Sequence, residues 1–299
     1  MQFMNKFISK QVLSEFTGAI TANVNAAIME DLKGAGSDAK DFTAKLIAPN
    51  QLAQAKIISR EPAVICGIPW VAECFKQIAP SVVIAWQVKE GESVVANQTL
   101  CTLEGKAHEM LSAERCALNF LQTLSATATA TKQYVEAIIG TKASILDTRK
   151  TIPGLRIAQK YAVSIGGGLN QRIGLYDGIL IKENHIAAAG SIEAVLTDAN
   201  KIAAENGNDL SIQIEVENLA ELASALNAGA TLILLDNFDT TLLKEAVAIN
   251  ANRAILEASG GINLSNVREI ALTGVDRISI GSLTKNIQAI DLSMRLSNI

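Results

Sequence analysis

From residue 142 onward, short apolar runs alternate with longer segments in which apolar residues recur at helical spacing. Several helical segments begin with Ser, Asn or Asp, which are preferred N-cap residues. Strands that alternate with helices in this way form parallel βαβ units, because a parallel partner strand requires a crossover connection. Six strands, or seven if one more lies nearby, favour a (β/α) barrel over a doubly wound sheet. The predicted strands cover residues 142–146, 178–182, 210–217, 231–236, 254–259 and 277–281.

The first 115 residues follow a different pattern, in which strands succeed one another without regular crossover helices. This order is typical of an α+β domain. We therefore predict an N-terminal domain over residues 1–115 and an α/β-barrel domain over residues 116–286. The remaining residues, 287–299, are predicted to form a helix that packs back onto the N-terminal domain. The predicted N-terminal strands cover residues 55–60, 81–88 and 99–105.

Composition and charge argue against several classes of protein. The chain has 26 Lys and Arg residues against 30 Asp and Glu residues, so it has no general excess of positive charge for binding nucleic acid or an anionic membrane. Charged residues and glycines interrupt the apolar runs before the ~18 residues that a membrane span requires. The opening segment MQFMNKFISKQVLSEF contains lysines and a glutamate and lacks the apolar core of a secretory signal. We therefore expect a soluble, cytoplasmic protein.

Polar and charged residues collect at the carboxyl ends of the predicted strands. In α/β barrels these strand ends share one rim, where the connecting loops build the active site. Each residue taken singly could be an ordinary surface residue, but their coincidence on one rim predicts a functional site. The residues are those at 147–150, 182–185, 215, 217, 236–237, 259–261 and 281–282.

The stretch from Arg149 to Lys182 is strongly basic within an acidic protein, and its single acidic residue is Asp177. Guanidinium groups bind carboxylate or phosphate in a planar fork, whereas ammonium groups supply a compact charge. The mixture predicts a ligand that bears both kinds of anion. The alternative is a basic face exposed to solvent. The six cations are Arg149, Lys150, Arg156, Lys160, Arg172 and Lys182.

Two features of the later strands point to phosphate and metal binding. Glycine-bearing loops at 259–261 and 281–282 each follow a strand and precede a helical segment, an arrangement that can hold a phosphate through backbone N–H groups. Glu215 and Asp236 belong to neighbouring strands and could hold Mg²⁺ together with water and substrate phosphates. The alternative for these two carboxylates is ion pairing with lysines.

The segments DTRKTIPGLR, GGGLNQRIGLYDGILIKENHI, EASGGI and TGVDRISIGSLT closely resemble those of the quinolinate phosphoribosyltransferase family, and the similarity extends over nearly the whole chain. The resemblance implies transfer of a phosphoribosyl group from phosphoribosyl diphosphate (PRPP) to quinolinate in NAD biosynthesis. The products would be nicotinate mononucleotide, diphosphate and CO₂. It also implies Mg²⁺ and a homodimer whose fold is an N-terminal α/β sandwich domain followed by an incomplete (β/α) barrel.

The resemblance also assigns roles to individual residues. Arg149, Arg172 and Lys182 would surround the carboxylates of quinolinate. Lys150 would bind PRPP. Arg115 would be supplied by the partner subunit, so that dimerisation would complete the active site.

The remaining assignments concern the ribose, the metal and the phosphate. Glu215 and Asp236 would contact the ribose hydroxyls and Mg²⁺. The predicted catalytic residues are therefore Lys150, Lys182, Glu215 and Asp236. Further substrate-binding residues are Thr148, Gln171, Ser259, Gly260, Gly261, Ser279, Ile280 and Gly281.

One departure from the family pattern concerns the acceptor. The family usually has Asn-His-Arg where this chain has Asn170, Gln171 and Arg172. Gln can donate a hydrogen bond but cannot carry charge, so we expect altered recognition of the acid more than lost chemistry. A transferase for another aromatic acid therefore stays open. Two further alternatives are a Schiff-base lyase that acts through Lys182 and a non-catalytic nucleotide-binding module.

Overall fold

The computed structural model of the protein describes residues 10–34, 40–207 and 210–298. In chain order the elements are α1 (Lys10–Leu32), a 3₁₀ turn (Ala44–Leu46), β1 (Leu52–Ser59), β2 (Ala63–Val64), α2 (Ile68–Ile78), β3 (Val83–Trp86), β4 (Ser93–Val94), β5 (Thr99–Lys106), α3 (Ala107–Ala137), β6 (Ser144–Leu146), α4 (Arg156–Ile165), β7 (Gly178–Ile181), α5 (Glu183–Ala189), α6 (Ile192–Glu205), β8 (Ser211–Val216), α7 (Leu219–Asn227), β9 (Leu232–Asp236), α8 (Thr240–Asn250), β10 (Ile255–Ser259), α9 (Val267–Leu272), β11 (Arg277–Ser279), α10 (Ser282–Lys285) and β12 (Leu292–Asn298).

The chain divides into two compact units that do not follow simple sequence order. The first unit comprises Met1–Lys132, Thr151–Gly167 and Thr284–Ile299. The second comprises Gln133–Lys150 and Gly168–Leu283. The sequence-based boundary after residue 115 lies inside α3.

The first unit contains an antiparallel sheet in the order β12-β1-β5-β3. Strand β1 buries every second residue, so one face of this strand joins the core. Helix α2 has Pro69 in its first turn, where proline is well tolerated. Its buried residues are Trp70, Val71, Cys74 and Phe75. This unit therefore has a mixed α/β architecture, as the resemblance implied.

The prediction of a C-terminal helix over residues 287–299 is wrong. Residues 292–298 form β12, which pairs antiparallel with β1 from Leu292 opposite Ser59 to Asn298 opposite Ala53. The segment LSMRLSN alternates between larger apolar residues and polar residues, and Met294 is buried while Arg295 is exposed. An alternation of period two suits a strand, and pairing satisfies the backbone groups along that edge of β1.

The second unit is built on six parallel strands in the order β6-β11-β10-β9-β8-β7. All six lie within or overlap the segments predicted from the apolar runs. Within the described residues, β6 and β7 are the two edges and do not pair with each other, although Leu169 makes a single parallel bridge to Leu146. The barrel is therefore incomplete, as predicted.

Side-chain caps begin three of the helices that connect these strands. Ser191 accepts from the backbone of α6, Asn218 from that of α7, and Asp239 from that of α8. Each cap satisfies N–H groups that the helix itself cannot bond. The caps define where each connecting helix starts and therefore the length of the preceding loop at the strand end.

Among the described residues, no helix combines the length and apolar character needed to cross a bilayer. A cytoplasmic location stays a prediction.

Candidate active site

A cavity of about 320 Å³ lies where the strands of the second unit end. Side chains at or just beyond the carboxyl ends of several strands line it, which is the rim at which α/β barrels carry their active sites. The lining residues are Thr148, Arg149, Lys150, Gln171, Arg172, Leu180, Lys182, Glu215, Leu234, Glu257, Ser259 and Ser279.

The segment after β6 is organised by a buried carboxylate. Asp147 is fully buried and accepts hydrogen bonds from the Asn170 side-chain amide at 2.7 Å and from the Gln171 backbone N–H at 2.8 Å. These bonds attach residues 170–171 to the end of β6. Next along the chain, the Thr148 hydroxyl accepts from the Lys150 N–H at 3.1 Å. One end of the cavity is thus fixed by side chains.

Two arginines supply planar cations to the cavity. Burial lowers the pKa of the Arg172 guanidinium, and the positive charge of Arg149 lowers that pKa further. Arg172 donates to the Gly178 carbonyl at 2.9 Å, while Asp177 accepts from two N–H groups of the same loop. Two like charges held this close favour a ligand with more than one negative charge.

Lys182 and Glu215 form a close ion pair across neighbouring strands. The Lys182 ammonium lies 2.6 and 2.8 Å from the two oxygens of the Glu215 carboxylate. The Glu215 side chain is 10% exposed, whereas that of Lys182 is 43% exposed. The pair therefore fixes the position of Lys182 while leaving much of its side chain accessible at the rim.

A second carboxylate of the cavity wall, that of Glu257, is fully buried in β10. Its oxygens accept from the Gln171 side-chain amide at 2.6 and 2.7 Å and from the Gln213 amide at 3.1 Å. Burial raises the pKa of Glu257, and these hydrogen bonds oppose the rise. The side-chain amide of Gln171, a predicted substrate-binding residue, thus donates to Glu257 in this structure.

Glycine is required at one of the predicted phosphate-loop positions, and at another there is little space for a larger residue. Gly260 has φ +98°, and a Cβ there would lie 2.1 Å from the Asn237 side-chain oxygen. A Cβ at Gly281 would lie 3.0 Å from the Lys150 side chain. The loop at Gly260 therefore approaches Asn237 more closely than a larger residue allows, whereas at Gly281 the Lys150 side chain would have to shift slightly.

The structure brings together nine of the predicted site residues in the cavity wall. They are Thr148, Arg149, Lys150, Gln171, Arg172, Lys182, Glu215, Ser259 and Ser279. Other predicted residues lie at the same strand ends but not in the wall itself: Asp236, Gly260, Gly261, Ile280 and Gly281. Arg115 is exposed on α3 in the first unit and does not line this cavity.

Sequence reasoning missed Glu257, Leu180 and Leu234. The two leucines supply apolar wall between the charged groups. A signal for Glu257 was present, because a lone glutamate stands between the apolar residues Leu256 and Ala258 within a predicted strand. Burying a carboxylate costs desolvation free energy unless the group is hydrogen-bonded. A glutamate between apolar residues of a predicted strand therefore indicates specific hydrogen-bond donors nearby.

The fold and this cavity define an incomplete α/β barrel with a cationic site for a small polyanionic ligand at the carboxyl ends of its strands. Comparison with known proteins then identifies the family. The family model for the C-terminal domain of quinolinate phosphoribosyl transferase matches residues 127–295, and the model for the N-terminal domain matches residues 41–125. The chain belongs to the quinolinate phosphoribosyltransferase family.

Individual relatives agree with this assignment. The probable carboxylating nicotinate-nucleotide pyrophosphorylase of Bacillus subtilis is 37% identical over 271 residues, which cover 91% of either chain. The corresponding protein of Mycobacterium leprae is 37% identical over 279 residues, covering 91% of this chain and 95% of the relative. The solved structure of the nicotinate-nucleotide pyrophosphorylase from Francisella tularensis matches with a TM-score of 0.88 and 42% identity, covering 94% of this chain and 96% of that one.

Proposed function

We propose that the protein transfers the phosphoribosyl group of PRPP to quinolinate and releases CO₂, diphosphate and nicotinate mononucleotide, as a step of NAD biosynthesis. The observation that carries this proposal is the charge of the cavity in a chain of this family. Four cations and two carboxylates line the wall, so cations outnumber carboxylates there. An excess of cations suits an acceptor that carries two carboxylates, as quinolinate does.

The two arginines and Lys182 bind and orient the acceptor. Guanidinium groups grip carboxylates in a planar fork, so Arg149 and Arg172 hold the pyridine ring in one orientation with its nitrogen directed at the ribose. Leu180 and Leu234 offer apolar surface to the ring faces. Fixing the nitrogen near the anomeric carbon lowers the entropic part of the barrier.

The transfer step breaks the bond between the anomeric carbon and diphosphate. The pyridine nitrogen supplies the electron pair of the new C–N bond, and the diphosphate leaves with the electrons of the old one. Positive charge develops on the ribose, where Glu215 can stabilise it, and negative charge develops on diphosphate, where Lys150 can. The quaternised ring then accepts the electron pair left when CO₂ departs, and a proton takes the vacated position.

The carboxylates of the rim fit a role for Mg²⁺ that is shared with the substrate. Within the described residues, no group of three or more His, Cys, Asp or Glu could enclose a metal. Glu215 and Asp236 offer oxygen ligands, and Mg²⁺ is commonly held by one or two carboxylates with water and substrate phosphates. When bound, Mg²⁺ would neutralise charge on the leaving diphosphate.

A homodimer with a shared site is also part of the proposal. Arg115 is exposed on α3, so it is available to a second copy of the chain. The test is to mix inactive Arg115→Ala and Lys150→Ala subunits after brief unfolding. If Arg115 acts in trans, roughly one quarter of the activity returns, because mixed dimers carry one intact site. No recovery in dimers shown to be mixed would contradict a shared site.

The geometry of Lys182 argues against a Schiff-base lyase. A nucleophilic lysine needs its nitrogen free to approach a carbonyl carbon. Here both oxygens of the Glu215 carboxylate accept from the Lys182 nitrogen at 2.8 and 2.6 Å, so that nitrogen is engaged in an ion pair.

The proposed function is tested by release of CO₂ from carboxyl-labelled quinolinate in the presence of PRPP and Mg²⁺. We expect release that requires PRPP and is accompanied by nicotinate mononucleotide. Nicotinate and nicotinamide serve as parallel acceptors and should give no comparable product. A folded protein that binds PRPP but releases no CO₂ would overturn the assignment of quinolinate as the acceptor.

A further inference from the structure

Residues 170–177 carry two cavity side chains, Gln171 and Arg172, yet they belong to no helix or strand. Backbone in regular structure is held by its own hydrogen-bond ladder, but a loop depends on side chains and neighbouring groups for its geometry. The placement of Arg172 therefore depends on what holds this loop.

Two buried carboxylates from different strands hold the loop. Asp147 follows β6 and binds Asn170 and the Gln171 N–H. Glu257 in β10 binds the Gln171 side-chain amide at 2.6 and 2.7 Å. Gln171 is thus fastened at its backbone by one carboxylate and at its side chain by the other.

The side-chain contacts close into a ring that gives Gln171 one orientation. Gln213 donates to Glu257 at 3.1 Å and accepts from the Gln171 amide nitrogen at 3.1 Å. With its nitrogen turned toward Glu257, Gln171 presents its amide oxygen to the Arg172 N–H at 3.3 Å. The ring therefore connects directly to the arginine that follows.

The cost of burying Glu257 indicates that its carboxylate has a use. Both neighbours of Glu257 in β10, Leu256 and Ala258, are buried and apolar. An apolar residue at this position would avoid the desolvation of a carboxylate and would serve the barrel at least as well. An apolar residue could not accept the hydrogen bonds that hold Gln171, and with it the loop, in position.

We propose that Glu257 is a positioning residue of the acceptor site, which acts through Gln171 to place the Arg172 guanidinium that binds a carboxylate of the acceptor. This inference rests on the proposed function, because it takes the acceptor to be quinolinate. Glu257 does not touch the reacting atoms; it determines where Arg172 meets the acid.

The test compares Glu257→Gln with the wild-type protein in steady-state kinetics. Misplacing Arg172 weakens recognition of the acid, so the KM for quinolinate should rise about 10- to 100-fold. The KM for PRPP should rise less, because Glu257 binds Gln171 on the acceptor side at 2.6 and 2.7 Å, although it also hydrogen-bonds Ser279, a predicted phosphate-binding residue. Asp276→Asn is the matched control: Asp276 lies at the opposite strand ends, where it binds Lys142 and the Leu256 N–H.

A second variant keeps the test decisive if Glu257→Gln folds poorly. Gln171→Met removes the side-chain amide but leaves Glu257 in place, and it should also raise the KM for quinolinate selectively. If Glu257 acts through Gln171, the double variant should be no worse than Gln171→Met alone, whereas independent roles would multiply.

Three outcomes would overturn the inference: an unchanged KM for quinolinate in Glu257→Gln, an equal rise in both KM values, or multiplicative effects in the double variant. Each of these outcomes can be distinguished from failure of the proposed function. If the proposed function fails, the wild-type protein itself releases no CO₂ from quinolinate.

Discussion

Two glutamates, one in each unit of the protein, serve different ends. Glu90 in the first unit accepts from the N–H groups of Gly67 and Ile68 at 2.7 and 3.0 Å, at the start of α2. Glu257 in the second unit accepts from side-chain amides and lines a cationic cavity. Burial raises the pKa of both groups. Burial and a shifted pKa therefore do not identify a functional carboxylate, whereas its donors and its access to a cavity do.

The surroundings of Glu90 show what a purely structural site looks like. Phe16, Trp70 and Tyr161 pack their rings with centroids 4.6 to 5.6 Å apart. Tyr161 and Cys66 lie beside Glu90. Here the carboxyl group closes a helix terminus within an apolar core. At the rim of the second unit, the charged groups instead border open space that a ligand can fill.

The largest expected effect is a loss of catalysis when a cation is removed from the cavity of the second unit. Lys182→Ala removes a charge from the cavity and leaves Glu215 without its cation, so kcat/KM for quinolinate should fall by about 10³. The measurement is initial-rate CO₂ release with varied quinolinate.

The matched control for that variant is Lys142→Ala. Lys142 pairs with Asp276 at 2.8 Å at the other end of the strands, and both side chains are substantially exposed. An exposed pair contributes about 0–1 kcal/mol to stability, so Lys142→Ala should leave kcat/KM within about twofold of wild type. Equal losses in the two lysine variants would contradict the placement of the site.

The next largest effect concerns stability. Glu90→Ala leaves the partly buried backbone N–H groups of Gly67 and Ile68 without their acceptor, so the free energy of unfolding should fall by about 2 kcal/mol. Glu90→Gln keeps one acceptor oxygen and should lose less. Urea unfolding measures both. Glu90 does not line the cavity, so the folded variants should retain the wild-type KM for quinolinate. A selective rise in that KM would contradict the difference in role between Glu90 and Glu257.

The smallest effect is a pH dependence that both glutamates should share. Because the folded-state pKa of each is raised above the unfolded value, the folded protein keeps a proton at pH values where the unfolded chain has lost it. Each group therefore contributes a stability that is present at low pH and lost as pH rises through the folded-state pKa. Glu90→Gln and Glu257→Gln lack this titration. The unfolding free energy of each variant minus that of the wild type should therefore be more favourable to the variant at pH 8 than at pH 5. Urea unfolding at pH 5 and pH 8 measures this difference. A difference less favourable to the variant at pH 8 would show that the folded protein favours the ionised carboxylate.

Local patterns predicted most of the second unit. The apolar runs located all six strands, and the residues that follow them supplied most of the cavity wall, because parallel strands bring their carboxyl ends to one rim. The same reasoning failed for residues 292–298. Their partner β1 lies more than 230 residues earlier in the chain, and no local signal reports a pairing at that distance.

The sequence by itself determined the six strands of the second unit, the charge of the rim and the family, since each depends on residue type at short spacing. Tertiary structure decided which charged groups meet. Gln171, Gln213 and Glu257 come from a loop and two non-adjacent strands, and their hydrogen bonds exist only once the sheet has formed. Hydrogen bonds depend on distance and angle within a few tenths of an ångström, and such geometry follows from the packed fold and not from the order of residues.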